Sequence, residues 1–195
     1  MLLLQTTGTY CTQGLADVEK GSWHPVVIMS ETCASLNQFF QPLIDQGLTG
    51  KDTYLIQNFV DVTDPKNANL PIVKAYQDIM KQAGLDASKS TYFTGFAFAW
   101  YIVEIMKEAA SYRGGLNRAN IMLAARAIQQ TNPTLLKGLT SKMNGLKDAY
   151  LTEGGQMVQY KVTDPKKLGS FEPAGDLINL EGKLGTYATV KAASS

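Results

Sequence analysis

Histidine is nearly absent from this sequence, cysteine is scarce, and neither sign of charge predominates. His24 is the one histidine, and Cys11 and Cys33 are the two cysteines, among 195 residues. A structural zinc ion takes about four ligands, usually Cys or His, and neither cysteine sits in a CxxC, so zinc is not expected. Basic and acidic residues number 18 and 17, for a net charge of +1. With no Lys/Arg stripe to meet a polyanion, a nucleic-acid partner is not expected either. No apolar run approaches the ~20 residues of a membrane span. The most apolar stretch, Phe93 to Met106, is interrupted by Thr94, Gly95 and Glu104. Met1-Leu2-Leu3-Leu4 has no basic segment and stops at Gln5, unlike a signal peptide. An export signal for a secreted protein would lie upstream.

The common catalytic signatures are missing as well. There is no G-x-S-x-G, no P-loop and no H-E-x-x-H. His24, followed by Pro25 ahead of an apolar run, reads as a strand-entry residue. Cys11 has no neighbouring basic activator. Gly154-Gly155 is too short to cradle a phosphate and reads as a turn. Asp61 and Asp64 read as cap and turn residues, because calcium takes six to eight oxygens and no local loop supplies them. The sequence thus predicts no catalytic residue, no cofactor and no metal site.

What is present is a chain that can bury a core, with 45% hydrophobic residues. Leu2 to Thr6 and Val26 to Met29 are short apolar runs without alternation, as in strands buried on both faces. Thr12 to Lys20 reads as a helix capped by Thr12. Ser35 to Gln46 carries Leu36, Phe39, Phe40, Leu43 and Ile44 at helical spacing, and Gly47 closes it. Tyr54-Leu55-Ile56 with Phe59-Val60 gives a third strand. This βαβαβ order predicts an α/β fold, a parallel sheet covered by helices on each side. Beyond it, Leu70 to Ala83 is an amphipathic helix with Pro71 in its first turn. Thr91 to Tyr112 is a long helix, apolar nearly all round and expected to be deeply buried. Arg118 to Gln130, capped by Asn117, is a further helix. Strands are expected at Met157 to Val162 and Asp176 to Leu180, and Lys191 to Ser195 reads as a frayed tail. Val-Thr-Asp-Pro-Lys occurs at 62–66 and at 162–166, which is read as two turns sharing Asp-Pro chemistry and not as a repeat.

Ligands of open parallel sheets bind beyond the carboxyl ends of the strands. Two loops qualify, Gly8-Thr9-Tyr10-Cys11 and Ser30-Glu31-Thr32-Cys33. A carboxylate there can hold an ammonium group, and a tyrosine can pack on an aliphatic chain. Ordinary loop chemistry is the competing reading of each residue. Cys11 and Cys33 are open to both a disulfide and two separate thiols; their places in neighbouring loops favour the disulfide, which would fit an oxidising compartment.

A family pattern emerges from these positions. A strand ends in Gly8-Thr9-Tyr10, then come a helix, an apolar strand and a polar loop with the acid Glu31. After Phe59 follow Asp61-x-x-x-Pro65 and Leu70-Pro71-x-Val73-x-x-Tyr76-x-x-x-Met80-Lys81-x-x-Gly84. A long apolar helix then ends near Gly114-Gly115, and a helix-rich segment runs from Leu116 to Gln130. Over about residues 2 to 162 the chain resembles the C-terminal half of type I periplasmic binding proteins, the branched-chain amino-acid receptors of ABC importers. The resemblance implies a two-lobed fold closing around a solute. Residues 1–60 would be part of lobe two, 61–150 a mostly helical segment returning to lobe one, and 151–195 C-terminal strands and tail partly in lobe two. It implies Tyr10 and Glu31 as ligand contacts, Glu31 meeting an ammonium group, with Thr9 and Thr32 beside them. The ligand would be a branched-chain amino acid or a related small acid or amide. The partner would be an importer's membrane permease, and the location periplasmic or cell-surface, with or without a lipid anchor. Without the family's N-terminal half, the fragment is expected to hide its apolar surface by self-association or by pairing with that half. A sensory receptor domain and a fragment of a cytoplasmic doubly wound enzyme are the alternatives.

Overall fold

Three short apolar runs become the parallel strands of a mixed sheet. β1 (Leu2–Leu4) is followed by α1 (Tyr10–Lys20) and β2 (Val27–Met29). A π-helical turn at Leu36–Phe40 then runs into α2 (Gln41–Ile44), and β3 (Thr53–Gln57) follows. β1 pairs in parallel with β2 and β2 with β3, so that Leu3, Ile28 and Tyr54 lie in one row and Leu4, Met29 and Leu55 in the next. The rest of the chain forms α3 (Pro71–Gln82), α4 (Ser90–Ser111), α5 (Arg118–Arg126), β4 (Gln129–Gln130), β5 (Ser141–Lys142), β6 (Gly154–Lys161) and β7 (Ser170–Asn179). The sheet order is β1-β2-β3-β6-β7, with β6 antiparallel to β3, and β4 and β5 form a separate antiparallel pair. The computed structural model describes residues 1–145 and 147–183; the expected tail at Lys191 to Ser195 lies outside them. The chain divides into two compact units, Met1–Thr94 with Gln156–Leu177, and Gly95–Gly155 with the residues from Ile178 onward.

The core of the first unit lies on one face of the sheet. Leu15 and Ala16 of α1 and Leu36, Phe39, Phe40 and Leu43 of the second helical segment pack on Val27, Met29, Leu55, Val158 and Tyr160. Gly14 lets α1 approach β1, since a Cβ there would sit 3.2 Å from Leu4 Cδ1. Phe40, Tyr160 and Phe171 form an aromatic cluster, with ring centroids 4.2 Å apart for Phe40–Tyr160 and 5.3 Å for Phe40–Phe171. The Tyr160 hydroxyl leaves this cluster satisfied, accepting from Gly169 N at 2.8 Å. Glu19 of α1 anchors the turn into β3, accepting from Thr49 N, Thr49 Oγ1 and Gly50 N at 2.7–3.0 Å. Gly50, at φ 62°, must be glycine there, because a Cβ would also press on Phe40 and Leu43.

Several expectations shift in the structure. α1 and the second helical segment pack on one face of the sheet, while on the other face Leu3 and Ile56 are exposed among the described residues, Ile56 at 51%. The unbroken apolar runs promised two buried faces, yet whether a second layer covers them depends on elements elsewhere. Thr12 is not the cap of α1. Thr9 holds that position, and Thr12 Oγ1 instead donates to Phe39 O at 2.9 Å, tying α1 to the next helical segment. Pro42 lacks an N–H for the helical ladder, and the predicted single helix at Ser35 to Gln46 is a π turn followed by a short α-helix. Gly154-Gly155 lies in β6 rather than in a turn; a Cβ on Gly154 would collide with Ile178 O and Leu139. In the second unit α4 buries Ala97, Tyr101 and Ala109, and the Tyr101 hydroxyl meets Ser141 Oγ at 2.6 Å. Its opposite side is not deeply buried as predicted. Phe98, Val103 and Met106 are exposed, and Ile102 is 57% exposed. α3 and α5 start as expected, at Pro71 and after Asn117, whose side chain accepts from Asn120 N at 2.9 Å. Both Asp-Pro segments are turns of one kind, Asp64 accepting from Lys66 N and Asp164 from Lys166 N.

Phe40→Ala is expected to lower stability by about 3–5 kcal/mol, read by urea unfolding of the oxidised protein. A loss below about 1 kcal/mol would remove Phe40 from the centre of the core.

Candidate functional site

The carboxyl ends of β1, β2 and β3 lie at one edge of the sheet, and their loops are bonded to one another. Ser30 Oγ and Thr32 Oγ1, after β2, both donate to Thr6 O after β1, at 2.8 and 2.9 Å. Cys11 and Cys33 form a disulfide with Cα atoms 5.6 Å apart. Glu31 begins a single 3₁₀ turn at Glu31–Cys33 and reaches the loop after β3. Its Oε1 accepts from Asn58 N at 2.8 Å and Phe59 N at 2.9 Å. Among the described residues Oε2 has no hydrogen-bond partner. Burial pushes the Glu31 carboxyl above its ordinary value, and the two N–H bonds partly offset this.

Glu31 lines a small cavity of about 50 Å³ together with Thr32, Phe59, Asp61, Thr91 and Phe93. Asp61, 6% exposed, was read from the sequence as a turn residue. It does serve a turn, Oδ1 accepting from Thr63 N at 2.8 Å and Thr63 Oγ1 at 2.7 Å. Its Oδ2 is buried and has no hydrogen-bond partner among the described residues. Burial raises its pKa, the Asp64 charge adds to that, and the Thr63 bonds oppose it. The loop after β3 is a third carboxyl-end loop, and an acid two residues beyond Phe59 was the available sequence signal for it. Of the predicted site residues, Glu31 and Thr32 share this cavity. Thr9 and Tyr10 are not among its lining; both are exposed at the start of α1, Tyr10 at 66%. His24 is an exposed residue ahead of β2.

No protein-family model matches the sequence, and no curated protein matches it. Solved structures do. One is a branched chain amino acid ABC transporter from Thermus thermophilus with bound valine, at TM-score 0.69 and 12% identity, over 95% of this chain and 49% of that one. The chain has, in part, the fold of the type I periplasmic binding proteins. A second match is a fatty acid ABC transporter substrate-binding protein from Thermomonospora curvata, at TM-score 0.59 and 14% identity, over 91% of this chain and 42% of that one. The chain spans less than half the length of either.

A second acidic group lies in the other unit. Carboxylate oxygens of Asp148, Glu153 and Glu181 come within 4.8 Å of one another. Glu153 is buried and its Oε2 accepts from Gly182 N at 2.7 Å. Burial, then the charges of Glu153 and Asp148, raise the Glu181 pKa. These are the described acids that could together ligate a cation; they come from two stretches, 148–153 and 181, too far apart in sequence for a local calcium loop.

Replacing Cys11 and Cys33 by serine is expected to cost about 3 kcal/mol by the loop-entropy relation for their separation of 22 residues, measured by unfolding of both proteins in urea. An unchanged midpoint would remove the disulfide from the stability of this edge. Asp61 holds its proton more readily folded than unfolded, so it contributes a destabilisation that grows as pH rises from its ordinary 3.8 through its raised folded value. Asp61→Asn keeps an acceptor for Thr63 and removes that charge. The melting-temperature difference between variant and wild type should therefore move in the variant's favour as pH rises through this window. A difference moving the other way would mean that Asp61 is stabilised as the carboxylate.

Proposed function

We propose that this chain is the ligand-holding part of an extracytoplasmic solute-binding protein of an ABC importer, and that it takes a branched-chain amino acid or a related small acid or amide. The place of Glu31 carries the reading. It follows β2 at the edge of the sheet where ligands of such folds bind, with one oxygen committed to Asn58 and Phe59 and the other without a partner among the described residues. An ammonium group bonded to that oxygen would form a charge-assisted hydrogen bond. Tyr10, exposed after β1, packs on the ligand's side chain in this proposal, with Thr9 and Thr32 beside it. Residues 1–60, in this reading, belong to lobe two, and the partner is a membrane permease. The likeness to two ABC transporter structures, one of them with bound valine, supports a binding role over a catalytic one. The Cys11–Cys33 disulfide supports a periplasmic or cell-surface location and counts against a cytoplasmic enzyme.

A thermal-shift screen with amino acids, their amides and small carboxylic acids tests the reading. A ligand at 100 times its Kd adds about 2.7 kcal/mol of stability, so a clear upward shift is expected within this panel, and none in any class would overturn it. Glu31→Gln, which retains an acceptor for Asn58 and Phe59, should weaken an amino-acid ligand by about 1.5–3 kcal/mol. Unaltered affinity would take Glu31 out of the site.

A further inference from the structure

Asp148, Glu153 and Glu181, whose carboxylate oxygens stand within 4.8 Å of one another, all belong to the second unit. The backbone brings them together. Glu153 directly precedes β6, and Glu181 follows β7. Leu180 N donates to Glu153 O and Gly182 N to Glu153 Oε2, both at 2.7 Å, which holds the turn carrying Glu181 against Glu153. Asp148 arrives from the segment after β5, where Asn144 and Asp148 form an antiparallel bridge.

Close acids alone do not make a site. What marks these three is the state of their oxygens. Glu153 is 4% exposed and commits Oε2 alone, leaving Oε1 without a hydrogen-bond partner among the described residues. Both carboxylate oxygens of Glu181 are buried, and neither has a partner among those residues. Asp148 Oδ1 accepts from Tyr150 N at 3.1 Å, and Oδ2 is unbonded among the described residues. No ion pair among them reaches any of the three acids. A buried carboxylate that is neither bonded nor paired is costly, and like charges at this range add to the cost. A cation answers all the free oxygens at once. Calcium holds its oxygens at about 2.3–2.6 Å, closer than the ~2.7 Å of a water hydrogen bond, so oxygens packed too tightly for water can still meet on an ion. Oxygens on opposite sides of a calcium ion are about 4.8 Å apart, and these three fall within that span. An all-oxygen set suits a hard cation such as calcium rather than zinc or copper.

We propose that Asp148, Glu153 and Glu181 bind a calcium ion, which ties the turn after β7 to the start of β6 and to the segment after β5. Backbone carbonyls and water complete its shell of about six to eight oxygens. Three carboxylates without a dedicated loop point to the ~10⁻⁴–10⁻³ M dissociation constants of extracellular calcium modules.

The test uses the full oxidised chain, stripped with EDTA and dialysed. Calcium chloride at about 10 mM, roughly ten to a hundred times such a constant, should raise Tm by about 3 °C or more over sodium chloride of equal ionic strength. Calorimetric titration should find a single calcium ion per chain. Glu181→Gln and Asp148→Asn, each with its fold checked by circular dichroism, should lose most of the shift. An equal rise in sodium chloride would mean that salt merely screens the repelling carboxylates, and would overturn the site. So would a wild-type Tm that calcium leaves unmoved, the result expected if the acids share protons and hold no ion. A shift retained in full by both variants would put the ion elsewhere and sink the proposal as well. Solute binding is read in its own panel, and either outcome there leaves this test untouched.

Discussion

The site depends on the bonds that hold three strand-end loops together. β1 and β2 are each three residues long and β3 five, so the sheet alone constrains their exits weakly. The edge is held instead by the Thr6 carbonyl shared by Ser30 and Thr32, by the Cys11–Cys33 disulfide, and by the Glu31 carboxylate bonded to two consecutive amides. Hydrogen bonds to a charged group contribute about 1.5–3 kcal/mol each, though these cross-links share one small region and do not add independently. Their larger effect is geometric. Loops fixed before a ligand arrives have less conformational freedom to lose on binding.

That arrangement places two carboxyl groups where they are largely buried. Glu31 and Asp61 both have their carboxyl pKa raised chiefly by burial, and neither has a basic side chain beside it in the cavity. The contrast is with Lys66 and Glu172, 2.7 Å apart but well exposed, where solvent screening leaves an ion pair little net effect on stability. Perturbed carboxyls in a recess are a common mark of a functional site, although structural networks produce them too. Here the distinction turns on oxygens: Glu31 Oε1 and Asp61 Oδ1 serve the backbone and a neighbouring threonine, while Asp61 Oδ2 serves neither.

The apolar surfaces have a different logic. Hydrophobic contact is non-directional, so an apolar strand or helix records only that it favours burial, not what buries it. The Phe40–Tyr160–Phe171 cluster has its partners within the first unit. Leu3 and Ile56 on the other sheet face, and Ile102 with its neighbours on α4, are exposed in their own units.

Much of the fold was legible in the sequence because local rules operate there. Pro71 opens α3 and Gly84 follows it with φ 66°, Asn117 caps α5, and apolar runs separated by helices give β1, β2 and β3 in parallel. Glu31 stood out because an acid directly after an apolar strand falls at the binding edge of such a sheet. Tertiary structure decided the rest. Thr12 does not cap α1 but bonds the Phe39 carbonyl, 27 residues away, a partner that only folding brings to it. The antiparallel placement of β6 beside β3 depends on about a hundred intervening residues. Asp61 looked like half of a turn because its Thr63 bonds are local, whereas the burial of Oδ2 and the cavity shared with Glu31 exist only after folding. Backbone periodicity and capping act over a few residues and can be read along the chain. Burial, and the charge environment it creates, is a property of what arrives from elsewhere in the chain.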